Sequence, residues 1–274
     1  MKPSRIAPAV IVVLGALYFL LPLVATFQFS LSMLRGVWSF EAYRVVFNDP
    51  RFVSSVMFSV VVALATIALG ALLVVPTAYW VRLKFPRLRP VVEFVTLLPL
   101  VIPPIVLVFG YMRFYNSSSL LPLTASVSGT NVLLVLGYVA LSLPYMFRAV
   151  DTGMAAIDLR TLTEAGESLG ASRRAILTRV IFPNVHASIL SGAFLTFAIV
   201  MGEFVLASLL NRPTFGPYLS QIGQDRAYEP SALATMAFAF TWLCMGLMQV
   251  FAGRKPGGRR AMRTLIPFPR RAAR

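Results

Sequence analysis

Apolar positions along this chain gather into six long blocks, separated by short stretches rich in Lys and Arg. Ile6–Leu34 and Phe52–Val81 carry no charged residue over 29 and 30 positions. Phe94–Met112 is a 19-residue block punctuated by Pro99, Pro103 and Pro104, and Asn131–Phe147 is the shortest at 17. Val185–Leu210 holds a single carboxylate, Glu203, and Pro230–Gly253 is charge-free over 24 residues. A bilayer core about 30 Å thick is crossed by ~20 apolar residues in helix. The pattern therefore predicts an all-α membrane protein with six transmembrane helices. The first block follows Lys2 and Arg5 as a signal peptide would. At 29 residues it exceeds the apolar core of such a peptide, and no small-residue cleavage site follows, so a retained helix is expected.

The polar stretches set the expected orientation. The segments at the N-terminus, between blocks two and three, between blocks four and five, and after block six hold 19 of the 25 Lys and Arg. The alternate segments hold five, and Arg113 stands at the edge of block three. Short cytoplasmic segments retain positive charge, which predicts that both termini face the cytoplasm. The six-helix body spans residues 1–253, and a basic cytoplasmic tail of 254–274 reads as a solvated or lipid-facing extension.

Composition agrees and excludes other classes. The chain is 58% hydrophobic and 13% charged, against about 45–50% and 25% in soluble domains. A net charge of +15 would suggest nucleic acid in a soluble protein, but here it follows the membrane blocks, so no nucleic-acid partner is expected. Cys244 is the only cysteine, which excludes an intrachain disulfide and a multi-cysteine metal site. His186 is the only histidine, no nucleophile motif accompanies it, and no GxxxxGK[ST] phosphate loop occurs. The chain is therefore read as neither an enzyme nor a nucleotide binder.

Prolines at 99, 103 and 104 disrupt the backbone of block three. Such a kink either serves packing or bends a helix that lines the translocation path, with Pro103 and Tyr111 as candidate path residues. Gly70, Ala71, Gly192 and Ala193 would permit close approach between helices.

The stretch from Asp151 to Pro183 is polar, helix-forming and too long for a tight hairpin. Thr161–Glu164 has the spacing of a capping box. The predicted helix runs to about Leu169 and ends at Gly170, the residue type that most easily takes a left-handed conformation. Ser172 would cap a second short helix through Arg173 and Arg179, and Pro183 would stop it. The expected product is a helix–Gly–helix elbow whose small corner residues, Ala165, Gly166, Gly170 and Ala171, let another surface approach. An ordinary loop would account for the same residues.

Glu164-Ala165-Gly166-Glu167-Ser168-Leu169-Gly170, nine residues, then Val180-Ile181-Phe182-Pro183, resembles the EAA motif of ABC importer permeases. Glu164, Ala165, Gly170 and Pro183 match in type and spacing, while Gly166, Val180 and Phe182 are small-for-small or apolar-for-apolar departures. Gly202-Glu203-Phe204 with Ala207-Ser208-Leu209-Leu210 resembles the spermidine/putrescine-type branch. The resemblance implies a six-helix, type I-like permease of the bacterial inner (cytoplasmic) membrane, surrounded by lipid. It implies ABC ATPase subunits docked on Glu164, Ala165, Gly166, Gly170, Ala171, Arg173 and Pro183, a second permease, identical or homologous, and an extracytoplasmic substrate-binding protein. No cofactor is expected in this chain, since ATP and Mg²⁺ would belong to the ATPase.

A secondary transporter is the alternative, but it would call for paired broken helices and further intramembrane ionisable groups. Glu203, in the outer half of block five, has two readings. It contacts a small cationic solute such as a polyamine, or it pairs with a hydrogen-bonding group and orders the helices.

Overall fold

In hydrocarbon the backbone can satisfy its N–H and C=O groups only within helices or closed barrels, and each apolar block has become helix. The computed structural model describes residues 6–253. Their helices are α1 (Ile6–Ser30), α2 (Glu41–Phe47), α3 (Pro50–Leu83), α4 (Arg89–Val101), α5 (Pro104–Phe114), α6 (Val127–Ala155), α7 (Leu159–Ser168), α8 (Arg173–Ala175), α9 (Phe182–Gly202), α10 (Val205–Leu209), α11 (Phe215–Asp225) and α12 (Glu229–Gly253). Lys2, Arg5 and the basic tail 254–274 lie outside the described residues. Four helices are long and apolar enough to cross a bilayer, and a fifth span arises if α4 and α5 count as one.

Three departures from the sequence pattern have physical causes. Block three is a break, with α4 and α5 meeting at 96°. Pro103 and Pro104 lack N–H donors, and a residue before proline is pushed out of the helical region, so Ile102 is extended at φ −85°, ψ 115°. Block four is longer than its apolar run, because α6 continues through Arg148 and Asp151 to Ala155. Pro183 does not stop the second arm of the elbow. α8, a π-helical turn over Ile176–Ile181 and α9 form one uninterrupted span, Arg173–Gly202. Proline frees the carbonyl one turn before it, and the wider i→i+5 register, with the Phe182 N–H donating to the Leu177 carbonyl, absorbs that mismatch.

α3, α6 and α9 form the centre. One buried cluster joins Val74–Tyr79 of α3, Met146–Met154 of α6 and Ile176–Ile189 around the start of α9. A second joins Val62 and Ala63, Leu133–Val139, Val200 and α10. These pairings make α3 and α6 run the same way and α9 run against both. The first cluster marks the elbow end and the second the opposite end. At the opposite end, Ser59 of α3 accepts a hydrogen bond from the Phe215 amide at 2.8 Å and so seats α11. Asp49 caps α3 there. Burial pushes its carboxyl up, but hydrogen bonds from the Arg51 amide and guanidinium outweigh this and hold it below the usual carboxylate range. α1 stands apart, stacked on the rest through Phe29 and Tyr228 with ring centroids 4.8 Å apart. Its apolar sides, including Ile11, Tyr18 and Phe19, are exposed, as a lipid-facing helix requires.

Lipid is as apolar as leucine, so close packing rather than hydrophobic exclusion must hold these helices together. Gly192 provides such a contact. A Cβ there would lie 3.2 Å from the Ala149 Cβ and 3.3 Å from the Met146 Cα, both on α6. We expect Gly192→Val to force α6 and α9 apart and cost about 1–3 kcal/mol. Thermal unfolding of the purified chain in detergent measures this, and an unchanged midpoint would show that the contact carries no weight.

Candidate functional site at the helical elbow

α7 is amphipathic at helical spacing. Leu159, Thr163 and Gly166 are buried, whereas Arg160, Glu164, Ala165 and Glu167 are exposed. It begins earlier than the sequence pattern suggests. Asp158 is the N-cap, accepting from the Thr161 amide at 3.1 Å and the Thr161 hydroxyl at 2.8 Å. Those two bonds, the hydroxyl's first, hold the Asp158 carboxyl below its ordinary range. Thr161 thus lies inside the helix, and Glu164 pairs with Arg160 at 2.7 Å instead of closing a capping box. Both partners are largely exposed, so the pair adds little stability and leaves Glu164 accessible.

The corner is a Schellman turn. The Gly170 N–H donates to the Glu167 carbonyl at 2.9 Å, and the Ala171 N–H to the Gly166 carbonyl at 3.0 Å. Gly170 has φ +75°, and nothing lies within 4 Å of where its Cβ would be, so its outer side is open. Ser172 caps the second arm through the Ala175 amide at 3.3 Å.

The residues expected to receive a partner divide in two. Glu164, Ala165, Gly170, Arg173 and Pro183 are exposed, and Ala171 is half-buried. Gly166 faces inward, where an added Cβ would lie 2.8 Å from Ile176 Cγ1. Its smallness lets α7 seat on the π-helical turn of its own chain. The sequence reading passed over Leu169, an apolar side chain 88% exposed beside Gly170. An apolar residue just past the end of a polar-faced helix was its available signal.

Beneath the elbow, the buried Asp151 receives Arg82 Nε at 2.6 Å and Arg89 Nη2 at 3.3 Å. Arg89 also donates to Glu93 at 2.9 Å. One carboxylate thereby ties the ends of α3, α4 and α6 together. Tyr79 of α3 reaches Thr163 of α7, with the two hydroxyls 3.3 Å apart. From the sequence, these arginines served only to orient the chain, because their common partner is 69 and 62 residues away.

At the opposite end, Glu203 lies just beyond α9 in extended conformation (ψ 129°), rather than within the helix as the apolar run implied. Its carboxylate accepts from the amides of Val205 (2.7 Å), Leu206 (3.0 Å to each oxygen) and Ala207 (3.4 Å). An acidic group over the first amides of a helix is favourable, and it accounts for α10. Tyr111 of α5 packs beside Gly137 and Leu206, whereas Pro103 is exposed at the break between α4 and α5.

Residues 75–256 match the family model described as binding-protein-dependent transport system inner membrane component. A "Probable molybdenum ABC transporter permease protein" of Haloferax volcanii is 35% identical over 156 residues, 55% of each chain. The spermidine/putrescine transport system permease protein PotC of Haemophilus influenzae is 25% identical over 87% of this chain and 93% of its own. The chain thus spans about half the length of the first of these. A bacterial ABC transporter that imports the acidic polysaccharide alginate superposes with a TM-score of 0.66 over 90% of this chain and 92% of its own, at 13% identity.

Removing one partner of a buried ion pair leaves an uncompensated charge. Asp151→Asn should therefore destabilise the chain by about 3–5 kcal/mol, and adding Arg82→Gln should recover part of the loss. Denaturant titration of the two variants checks this, and a double variant no more stable than the single one would count against the clamp.

Proposed function

The chain belongs to the family of binding-protein-dependent transport system inner membrane components, ABC importer permeases, and from that premise we propose that it forms one half of a transmembrane pore driven by an ATPase docked on its elbow. The single observation that supports this reading most directly is the elbow itself, an exposed glycine corner built on a buried core. Its outer face offers Leu169 and the open side of Gly170, flanked by Glu164, Ala165 and Arg173. Its inner face, Leu159, Thr163 and Gly166, is packed on α3 and on the start of the α9 span. Force applied outside would therefore reach the helices that cross the membrane.

In this reading the elbow and both termini are cytoplasmic, and α12 is the sixth span. ATP and Mg²⁺ belong to the ATPase subunits, so this chain hydrolyses nothing. A second permease completes the pore, and an external binding protein delivers substrate. The alginate importer, whose structure has also been determined with a pentasaccharide-bound periplasmic protein, supports that last partner. The break at Pro103 and the nearby Tyr111 would flank the path. For substrate, the relatives' names point both to molybdenum and to spermidine/putrescine. The polyamine reading needs Glu203 to meet a cation, and that would require releasing the carboxylate from the amides of α10.

Two measurements test this. With Cys244→Ser as background, a cysteine at Leu169 should escape a membrane-impermeant thiol reagent in intact cells and react in inverted vesicles, whereas labelling in intact cells would reject the orientation. Gly170→Val should insert normally, since only the left-handed backbone is strained, at about 1–2 kcal/mol, while its side chain projects onto the docking face. Co-purified ATPase and uptake should both fall sharply; wild-type uptake would remove the elbow from the coupling path.

A further inference from the structure

Arg148 lies within α6, seven residues before its end at Ala155, which places it about 10 Å inside the helix. It opens onto a cavity of about 600 Å³ between α4, α6 and α9. One wall is Leu97 and Leu100 of α4; the others carry Tyr145, Arg148 and Thr152 of α6 and Ser188 and Ser191 of α9. Arg148 is exposed in this structure, and a charge within a helix long and apolar enough to span a bilayer calls for a partner or a wet cavity.

Among the described residues Arg148 has no partner. The nearest carboxylates along its own and the facing helix are already engaged, Asp151 with Arg82 and Arg89, and Glu93 with Arg89. The hydroxyls around it are free as well. Several hydroxyls elsewhere in the spans turn back onto their own helix, as Thr66 does to Val62 at 2.8 Å, Thr77 to Leu73 at 2.6 Å and Ser142 to Val139 at 3.1 Å, although Tyr138 and Thr196 also lack a partner. Tyr145, Thr152, Ser188 and Ser191 make no such bond in this structure, so one guanidinium and four hydroxyl-bearing residues line one space, with the Ser188 hydroxyl lying against Gly153.

We propose that this cavity binds a small oxyanion, with paired guanidinium N–H donors of Arg148 on two oxygens and the hydroxyls completing its shell. Guanidinium geometry matches carboxylate, sulfate- and phosphate-type oxygens bidentately. The inference rests on the importer reading and deepens it: the site lies toward the elbow end of the path, and its sign selects an anionic solute. A phospholipid headgroup offers the same oxygens, so the test separates the two sources.

The full chain, purified in detergent and freed of lipid, is unfolded thermally with molybdate, sulfate, spermidine or phosphatidylglycerol. Molybdate or sulfate should stabilise it saturably and spermidine should not. Arg148→Gln should raise the half-saturating concentration about tenfold, the loss of one charge-assisted contact, and also controls for general salt stabilisation. Should that variant fail to fold, the Ser188→Ala/Ser191→Ala pair, which keeps the charge, should still weaken binding severalfold. Stabilisation by phosphatidylglycerol alone overturns the proposal in favour of a headgroup site. An equal anion response in Arg148→Gln, a response to spermidine alone, or none at all overturns it too. ATPase co-purification from the same wild-type preparation tests the importer reading separately, so a chain that brings down an ATPase yet ignores anions defeats only the oxyanion site.

Discussion

A backbone in hydrocarbon has no water to fall back on, and nearly every irregular feature here answers to that constraint. Pro22, Pro76, Pro99 and Pro144 lie inside α1, α3, α4 and α6, where each removes a donor from the ladder. At Pro183 the ladder widens into a π-helical turn, and the Asn184 side chain donates to the Val180 carbonyl at 2.7 Å. At Pro103 and Pro104, two consecutive missing donors exceed what a kink can absorb, and the helix breaks. Where α9 ends, the Glu203 carboxylate takes the amides of α10. At Pro183 and at the end of α9, a side chain or an altered register supplies what the sequence took from the helix.

Much of this fold was legible because hydrocarbon imposes a simple length rule on apolar runs. All six blocks appear as helix, and the elbow with its left-handed Gly170 and capping Ser172 follows the local chemistry of its residues. The failures share one cause, that local signals cannot see a distant partner. Thr161 and Glu164 have capping-box spacing, yet Asp158 was better placed, and the two differ only in where the preceding turn brings the chain. Asp151 resembled the start of a loop because its charge argues against helix in a membrane. Arg82 and Arg89 arrive from another span, and their contact makes the longer α6 possible. Gly166 resembled surface because its neighbours are; Ile176 shows it to be interior.

These features make the elbow a stiff extension of the bundle. Gly166 against Ile176, Tyr79 against Thr163 and the Asp151 clamp all fix α7 to the helices below. The second arm enters the bilayer without a hinge, since Arg173–Gly202 is a single span. A partner pulling at Gly170 would therefore move α9 as a rod.

The availability of charge finally bears on what passes through. Glu203, the residue whose sign first suggested a cation, already accepts hydrogen bonds from the backbone amides of Val205, Leu206 and Ala207. Asp151 is neutralised by two arginines, and the buried Glu229 faces Arg226 at 3.4 Å. Each acidic group that the described spans bury is thus answered within the chain. Arg148 has no such partner among the described residues, and it opens onto a cavity lined also by Tyr145, Thr152, Ser188 and Ser191. A low-dielectric wall strengthens an unanswered charge, because fewer water dipoles screen it. Under the proposed importer reading, with this cavity on the path, a cationic solute would have to pass the unanswered Arg148.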